Sequence, residues 1–340
     1  MKKVLKVLGI IVVVLGLLAY FVGVPMASKS FVDLTFNFEP HTFDYVLNDT
    51  DLVKNHYYIE GKTSPADYGY ENHEEVTYPS IYDKDIQLSG WWIPAASDTS
   101  PVIILSHGRT ANRLKPMRCL EIFKTLGLNN SYNFFLPDFR NSGNSSPAST
   151  QLGNKFGEDI AATSILLKEK YGMDHQIMYS FSMGAMASAV ALGRADLKTA
   201  LAEKGITIDR LIFDSSLSNA KDLLAMKGEE MGLPSMITKG AFKKMRKEIT
   251  DSEGNSFFDD MHFSTLLKDL EQPILFLHNE ADKATPYSLL KTELDELNKP
   301  NFKLNAYPNT AGKKDVHVRL MRQHKEAYET AIKEFLTKEL

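Results

Sequence analysis

The pentapeptide Ser180-Phe181-Ser182-Met183-Gly184 puts a hydroxyl at the join of two unlike segments. Ahead of it, residues 177–181 form a short apolar run; behind it, residues 183–192 are dense in alanine and serine. The first pattern reads as a buried strand and the second as a closely packed helix. A serine on a sharp strand-to-helix turn is held with its Oγ out of the sheet, and small neighbours let other backbone pass close by. Free N–H groups at the start of the helix also face any negative charge that develops there. Ser182 is therefore the candidate nucleophile. A serine hydroxyl stays weak until a base takes its proton, so the chain must also supply a base and a group to orient it.

The sequence holds nine histidines. His317 follows the last apolar run, residues 302–307, by a loop over 308–316 and precedes a C-terminal helix. In the chain order nucleophile, acid, base, that is the place of the base; the alternative is a loop histidine with a structural hydrogen bond. His324 is the nearest rival, but it falls within the charged stretch 319–338, read as one helix with His324 solvated. The orienting acid is expected at Asp282, just past the run 274–278 on a turn with Pro286. Asp214, ending the preceding run, competes, although its carboxylate could instead accept N–H groups at Ser215-Ser216. Such a set performs acyl transfer to water, with a carboxylic ester as first substrate class and an amide or peptide as second. Outside enzymes, the alternative is a catalytically silent surface binding module. Three groups kept in register argue against it.

These side chains need a scaffold. Further strand-like runs lie at residues 75–79, 86–94, 102–106, 134–137 and 211–213, with helical patterns at 113–126 and 160–171. Strands alternating with helices imply an α/β fold with a mostly parallel sheet covered on both faces, joined by right-handed crossovers. More than fifty residues separate Asp214 from Pro273, with helical patterns at 219–231 and 236–247 and a Gly/Asn/Asp-rich turn at 251–260. That is too long for a crossover. A small helical cap over residues 218–265 is expected, or else a surface helix pair without a role in substrate choice.

At the N-terminus, Lys2, Lys3 and Lys6 precede residues 7–24, which carry no charge. Such a run is just long enough to span a bilayer as a helix, and a lysine-rich flank stays cytoplasmic. The expectation is a membrane anchor over residues 1–27, an aromatic and polar stalk over 28–74, and a catalytic domain over 75–340. The protein would be single-pass in the cell membrane with that domain extracytoplasmic. A cleaved signal peptide is the rival; it wants a shorter apolar stretch and a small-x-small site, whereas Pro25 stands at −3 from Ala27. A net charge of −4 and the lack of a long basic stretch argue against a nucleic-acid partner. The one cysteine, Cys119, allows no intramolecular disulfide and is expected as a small buried hydrophobe rather than a nucleophile. No metal-ligand spacing, phosphate loop or dinucleotide fingerprint is present, so no metal and no cofactor are expected.

The set His107-Gly108 with Asn112-Arg113, then Asp138-Phe139-Arg140-Asn141-Ser142-Gly143-Asn144-Ser145, then residues 180–184, then the Asp282 segment with Pro286, resembles the α/β-hydrolase superfamily. The closest likeness is to membrane-anchored bacterial hydrolases grouped near the serine aminopeptidase and prolyl-oligopeptidase families, and it runs from Glu75 to the C-terminus. The resemblance implies an eight-stranded sheet with its second strand antiparallel and a cofactor-independent triad. By the same analogy, the backbone N–H groups of Arg109 and Met183 would form the oxyanion hole, Gly108 would give close approach, and His107 would be structural. The chain departs from the family in three places: Ser180 and Asn279 stand where glycine is common, and Asp315-Val316-His317 lacks the usual glycine. The loop 138–145 reads as a tight turn closed by Asp138 and Gly143, or as an anion site built on Arg140.

Overall fold

The apolar runs pair into one sheet. In the computed structural model, which describes residues 2–94, 97, 99–309 and 316–338, the strands are β1 Glu74–Pro79, β2 Gln87–Ile93, β3 Val102–Ser106, β4 Asn133–Asp138, β5 His175–Phe181, β6 Thr207–Asp214, β7 Ile274–Asn279 and β8 Phe302–Tyr307. Their order is β1-β2-β4-β3-β5-β6-β7-β8. β2 is antiparallel to both neighbours, and every other pairing is parallel. This is the eight-stranded, mostly parallel sheet of the expectation, with strand two reversed.

The central strands read as unbroken apolar runs because both of their faces are covered. Ile104, Phe135, Met178, Phe213 and Phe276 enter one core together with Phe156 and Ile160 of the helix Asn154–Tyr171 and Met186 of the helix Met183–Gly193. Ile103, Leu105, Phe134, Ile177, Ile212 and Leu275 enter the other, against the helices Cys119–Thr125 and Lys325–Thr337. Cys119 is fully buried there, and burial pushes its thiol up to about 12, so it stays an inert small hydrophobe.

Two helical expectations need correction. Residues 113–126 are not one helix; a short 3₁₀ turn, Pro116–Arg118, leads into Cys119–Thr125. The charged stretch 319–338 is not one helix either. It splits into Leu320–Gln323 and Lys325–Thr337 at His324, whose φ is −135. The break lets Leu320 and Met321 turn into the core that Tyr328 and Ile332 also enter. His324 is consequently half-buried, its ring 5.1 Å from that of Tyr307, rather than solvated on a helix face.

The N-terminal helix runs through Lys2–Leu18, a π-helical turn Ala19–Gly23, and Val24–Phe36. Its stretch Val7–Phe36 is 30 residues long, reaches a mean hydropathy of 2.9, and is long and apolar enough to cross a membrane. The helix does not stop at Ala27. Its last turns lie on the helix Ser235–Glu248 of the insertion between β6 and β7, where the Ser28 hydroxyl donates to the Ile237 carbonyl at 3.2 Å. Gly240 permits that approach, since a Cβ there would lie 2.5 Å from Ser28 Oγ.

The loop 138–145 is a structural turn. Asp138 accepts the Arg113 N–H at 2.8 Å and the Asn144 N–H at 3.1 Å. Arg140 is spent on Asp159, through Nε at 3.1 Å and Nη2 at 2.7 Å, with Ser80 Oγ at 2.9 Å. Both partners are buried, so the arginine has no room to take a free anion. Removing one member of a buried pair strands the other's charge. Asp159→Ala should therefore destabilise the fold by about 3–5 kcal/mol, read as a lower urea midpoint. An unchanged midpoint would mean that Glu158, 3.5 Å from Arg140, carries the pairing alone.

Candidate active site

Ser182 joins β5 to the helix Met183–Gly193 with φ +52 and ψ −118. A non-glycine residue pays strain to hold such a conformation. Neighbouring backbone secures it: the Ser182 N–H donates to the Asp214 carbonyl at 2.9 Å, and the Leu217 N–H donates to the Ser182 carbonyl at 3.1 Å. The need for glycine falls at two other positions. A Cβ on Gly184 would lie 2.5 Å from the His107 carbonyl oxygen, and one on Gly108 would lie 2.9 Å from Ser182 Cβ. At position 180 the side chain turns inward instead, where Ser180 Oγ bonds Ser188 Oγ at 2.8 Å in a fully buried pair. That departure is accommodated by the serine-bearing helix behind it. Asn279 needs no glycine-like backbone: its φ is not positive, and its Oδ1 accepts the Ala281 N–H at 2.9 Å, although its buried Nδ2 has no hydrogen-bond partner among the described residues. The third departure, at Asp315, lies outside the described residues, as does most of the loop before His317.

His317 reaches this turn from the C-terminal side. Its Nε2 is 2.9 Å from Ser182 Oγ and its Nδ1 is 2.8 Å from Asp282 Oδ2. The other carboxylate oxygen of Asp282 accepts the N–H groups of Ala284 and Thr285 at 2.8 and 3.1 Å. Burial acts to raise the pKa of Asp282, but the neighbouring imidazole and these N–H groups outweigh it and hold the carboxyl below its usual range. An ionised carboxylate can only accept, so His317 Nδ1 carries the proton and Nε2 turns its lone pair toward the serine hydroxyl. Ser182, His317 and Asp282 are thus brought together.

Asp214 is not part of that chain. Its oxygens accept the Tyr328 hydroxyl at 2.6 Å and the Ser215 hydroxyl at 2.8 Å, and burial raises its pKa against those bonds. It supports the site indirectly: Ser215 Oγ in turn accepts the N–H of Val318 at 3.1 Å, next to the histidine. Val318 holds φ +55, a real outlier for a β-branched residue. Thr285 escaped the sequence reading. Its hydroxyl lies 3.0 Å from the Ser215 carbonyl, 3.2 Å from Asp282 Oδ2 and 3.3 Å from His317 Nδ1. Its position three residues after the aspartate, on a turn entering Pro286, is the signal that could have found it.

A cavity of about 500 Å³ opens over Ser182 and His317 and is also lined by Gly108, Arg109 and Met183. The Arg109 N–H has no partner among the described residues, and Met183, first in its helix, has no intrahelical carbonyl for its own. The Arg109 side chain is engaged elsewhere: it donates to the Leu34 carbonyl at 2.7 Å and lies over the Phe38 ring at 4.6 Å. Leu34 and Thr35 from the N-terminal helix and Leu223 and Leu224 from the insertion complete one wall. No periodicity in the sequence connects these residues to Ser182.

A family model for the α/β-hydrolase fold matches residues 101–237. Together with the sheet order and the strand-to-helix serine, this match shows that the chain has the α/β-hydrolase fold. The protein YqkD of Bacillus subtilis (strain 168) is 27% identical over 226 residues, which cover 64% of this chain and 67% of YqkD. The esterase Pf2001 of Pyrococcus furiosus superposes with a TM-score of 0.58 at 21% identity, covering 81% of this chain and 94% of its own. A membrane phospholipase A described as a bacterial virulence factor gives a TM-score of 0.52 at 14% identity, over 99% of this chain and 100% of its own. At these identities the likeness to the solved structures is one of fold.

His107 sits under the site as a neutral imidazole. Its Nδ1 donates to the Gly108 carbonyl at 2.7 Å, and its Nε2 accepts the Phe139 N–H at 3.0 Å. Protonation would turn a donor against that N–H, and burial lowers the pKa to about 4. The unfolded chain, at about 6.5, takes up the proton first. Stability is therefore intact above pH 6.5 and falls by about 3 kcal/mol as pH drops toward 4. Urea midpoints measured from pH 7 to 4 should show that slope, and His107→Gln should flatten it. An equal slope in the variant would assign the acid sensitivity to other groups, such as His41.

Proposed function

We propose that this protein is a serine hydrolase that cleaves carboxylic esters through an acyl-serine intermediate. The observation that carries this is the continuous hydrogen-bonded chain from Ser182 Oγ through His317 to Asp282, opening into a cavity large enough for a small-molecule substrate. Ser182 Oγ attacks the carbonyl carbon while His317 Nε2 takes its proton. Asp282 holds the imidazole in the tautomer this needs. The tetrahedral oxyanion is met by the Arg109 and Met183 N–H groups. The intermediate collapses, His317 returns the proton to the departing alcohol, and water then repeats the attack to free the acid and restore the serine. No cofactor enters. Residues 218–265 act as the cap that supplies part of the cavity wall.

The same proposal puts this chemistry outside the cell. The lysine-bearing tip would remain cytoplasmic, residues 7–24 of the N-terminal helix would span the membrane, and the sheet would stand on the outer face. Ester hydrolases among proteins of similar fold support the chemistry.

A fluorophosphonate probe should label the full-length protein, and Ser182→Ala should abolish labelling and turnover of p-nitrophenyl esters while the circular dichroism spectrum is kept. Labelling that survives in the folded variant would sink the assignment. The two aspartates should separate cleanly. Asp282→Asn allows the wrong imidazole tautomer and should lose on the order of 10⁴-fold in kcat. Asp214→Asn, acting only through Ser215 and Tyr328, should lose far less. The reverse ranking would move the acid to β6.

For topology, protease added to intact cells should digest the catalytic domain while the N-terminal tip stays protected. A domain that resists until the membrane is opened would reverse the orientation.

A further inference from the structure

The walls of the cavity differ in chemistry. Five leucines line it: Leu34 from the N-terminal helix, Leu223 and Leu224 from the insertion, and Leu152 and Leu217. Arg109, Lys115, Arg118, Lys227 and Arg319 also line the cavity, and no carboxylate does among the described residues. This concentration of one sign occurs in a chain whose net charge is −4. Four of these cations are engaged locally: Lys227 pairs with Glu230 at 2.9 Å, Arg109 holds Leu34, Arg319 donates to the Asn55 carbonyl at 2.9 Å, and Lys115 lies over the Tyr57 ring at 5.9 Å.

Arg118 is different. It has no carboxylate within ion-pair distance among the described residues. One nitrogen, Nη2, donates to the Val318 carbonyl at 2.7 Å, while Nε and Nη1 are buried with no hydrogen-bond partner among the described residues. Beside it the Tyr58 ring, itself on the cavity wall, is surrounded by guanidinium groups: Arg118 at 5.7 Å, Arg319 at 5.0 Å and Arg322 at 4.0 Å. Tyr58 is held there in a left-handed conformation with φ +56. Buried donors normally find acceptors, and a guanidinium is a fork that suits phosphate or carboxylate oxygens. Arg118 thus brings to the cavity lining a guanidinium with two of its nitrogens still without acceptors among the described residues.

Position gives the anion its place in the substrate. Arg118 bonds the carbonyl of Val318, and Arg319 follows directly; both neighbour His317, which hands its proton to the departing alcohol. Leu34 of the N-terminal helix and Leu223 and Leu224 of the insertion supply aliphatic surface to the cavity. We propose that the alcohol part of the substrate carries an anionic group, a phosphate or carboxylate, received at Arg118, and that its acyl part lies along the aliphatic wall. The substrate class is thus an amphiphilic ester, negative on its leaving group. This rests on the ester-hydrolase reading above and narrows it.

The test uses the full-length protein in neutral detergent with two esters of one acyl chain: a monoacylglycerol phosphate and the matching monoacylglycerol. Fatty-acid release should give kcat/KM at least tenfold higher for the phosphate ester, with the gap closing as sodium chloride is raised. Arg118→Gln should shrink that ratio at least tenfold through KM of the phosphate ester, and Arg118→Lys should recover part of it. A variant that merely disturbs His317 through Val318 would slow both esters equally and leave the ratio unchanged, and that result would overturn the proposal. So would equal rates on the two esters in the unaltered protein, or inorganic phosphate accelerating the neutral ester rather than competing with the charged one. Turnover of neither ester, with no fluorophosphonate labelling, would instead count against the ester-hydrolase reading itself.

Discussion

The backbone at Ser182 turns from strand to helix in a conformation that costs a serine about 1–3 kcal/mol, and the surrounding strands are what make it tolerable. Its N–H is tied to Asp214 at the end of β6, and its carbonyl to Leu217 just beyond. Gly184 lies against the His107 carbonyl from the end of β3, and Gly108 against the serine Cβ. Three parallel strands, β3, β5 and β6, must therefore end at one level for the hydroxyl to stand clear of the sheet. Their registers do this: Ser106 lies opposite Ser180, and Phe181 opposite Asp214. The neutral His107, bonded on both ring nitrogens, fixes the loop that carries Gly108. The backbone hydrogen bonds and close glycine contacts around the site thus hold one turn in place, beyond any contact made by the serine side chain.

What the sequence made legible follows from which forces are local. The inner strands β2 to β7 were readable because burial on both faces demands largely continuous apolar runs, which turn residues bound; β1 and β8, at the edges, are only partly buried. β6 was underestimated because Thr207 and Asp209 are polar at its exposed start, yet still pair with β5. Ser182, His317 and Asp282 were readable from chain order and strand ends. The break at His324 was not, since no proline or glycine marks it; it arises from where Leu320 and Tyr328 must both point. Thr285, Arg118 and Tyr58 were equally silent. Each gains its place through partners 70 or more residues away in one case, and from a separate N-terminal segment in another, and no local pattern encodes such meetings.

The N-terminal helix illustrates the same limit at a larger scale. Composition alone presents residues 7–24 as an apolar rod and 28–74 as a connecting stalk. In the fold the rod continues to Phe36, packs on the helix Ser235–Glu248, and lends Leu34 and Thr35 to the cavity over Ser182. Val46 and Tyr57 from the following segment are buried in the main core. The part of the chain most plainly suited to lipid is thereby continuous with the wall of the site, so its removal would alter the cavity and not merely release the domain.

Asp214 and Asp282 share a residue type, a burial depth and a place at or just past the ends of adjacent strands, yet their surroundings set them apart. Asp214 is met by two hydroxyls, which leave burial free to raise its pKa. Asp282 is met by an imidazole and two backbone N–H groups, which reverse the effect of burial and keep it ionised. Of the two, Asp282 is the one within hydrogen-bonding distance of His317 Nδ1, at 2.8 Å. Asp214 is better suited to rigidity: its bonds to Tyr328 and Ser215 join β6, the C-terminal helix and the strained Val318 into one unit. The imidazole is thus aimed by one carboxylate and its supporting loop is braced by the other, a division of labour that arises from hydrogen-bond partners alone.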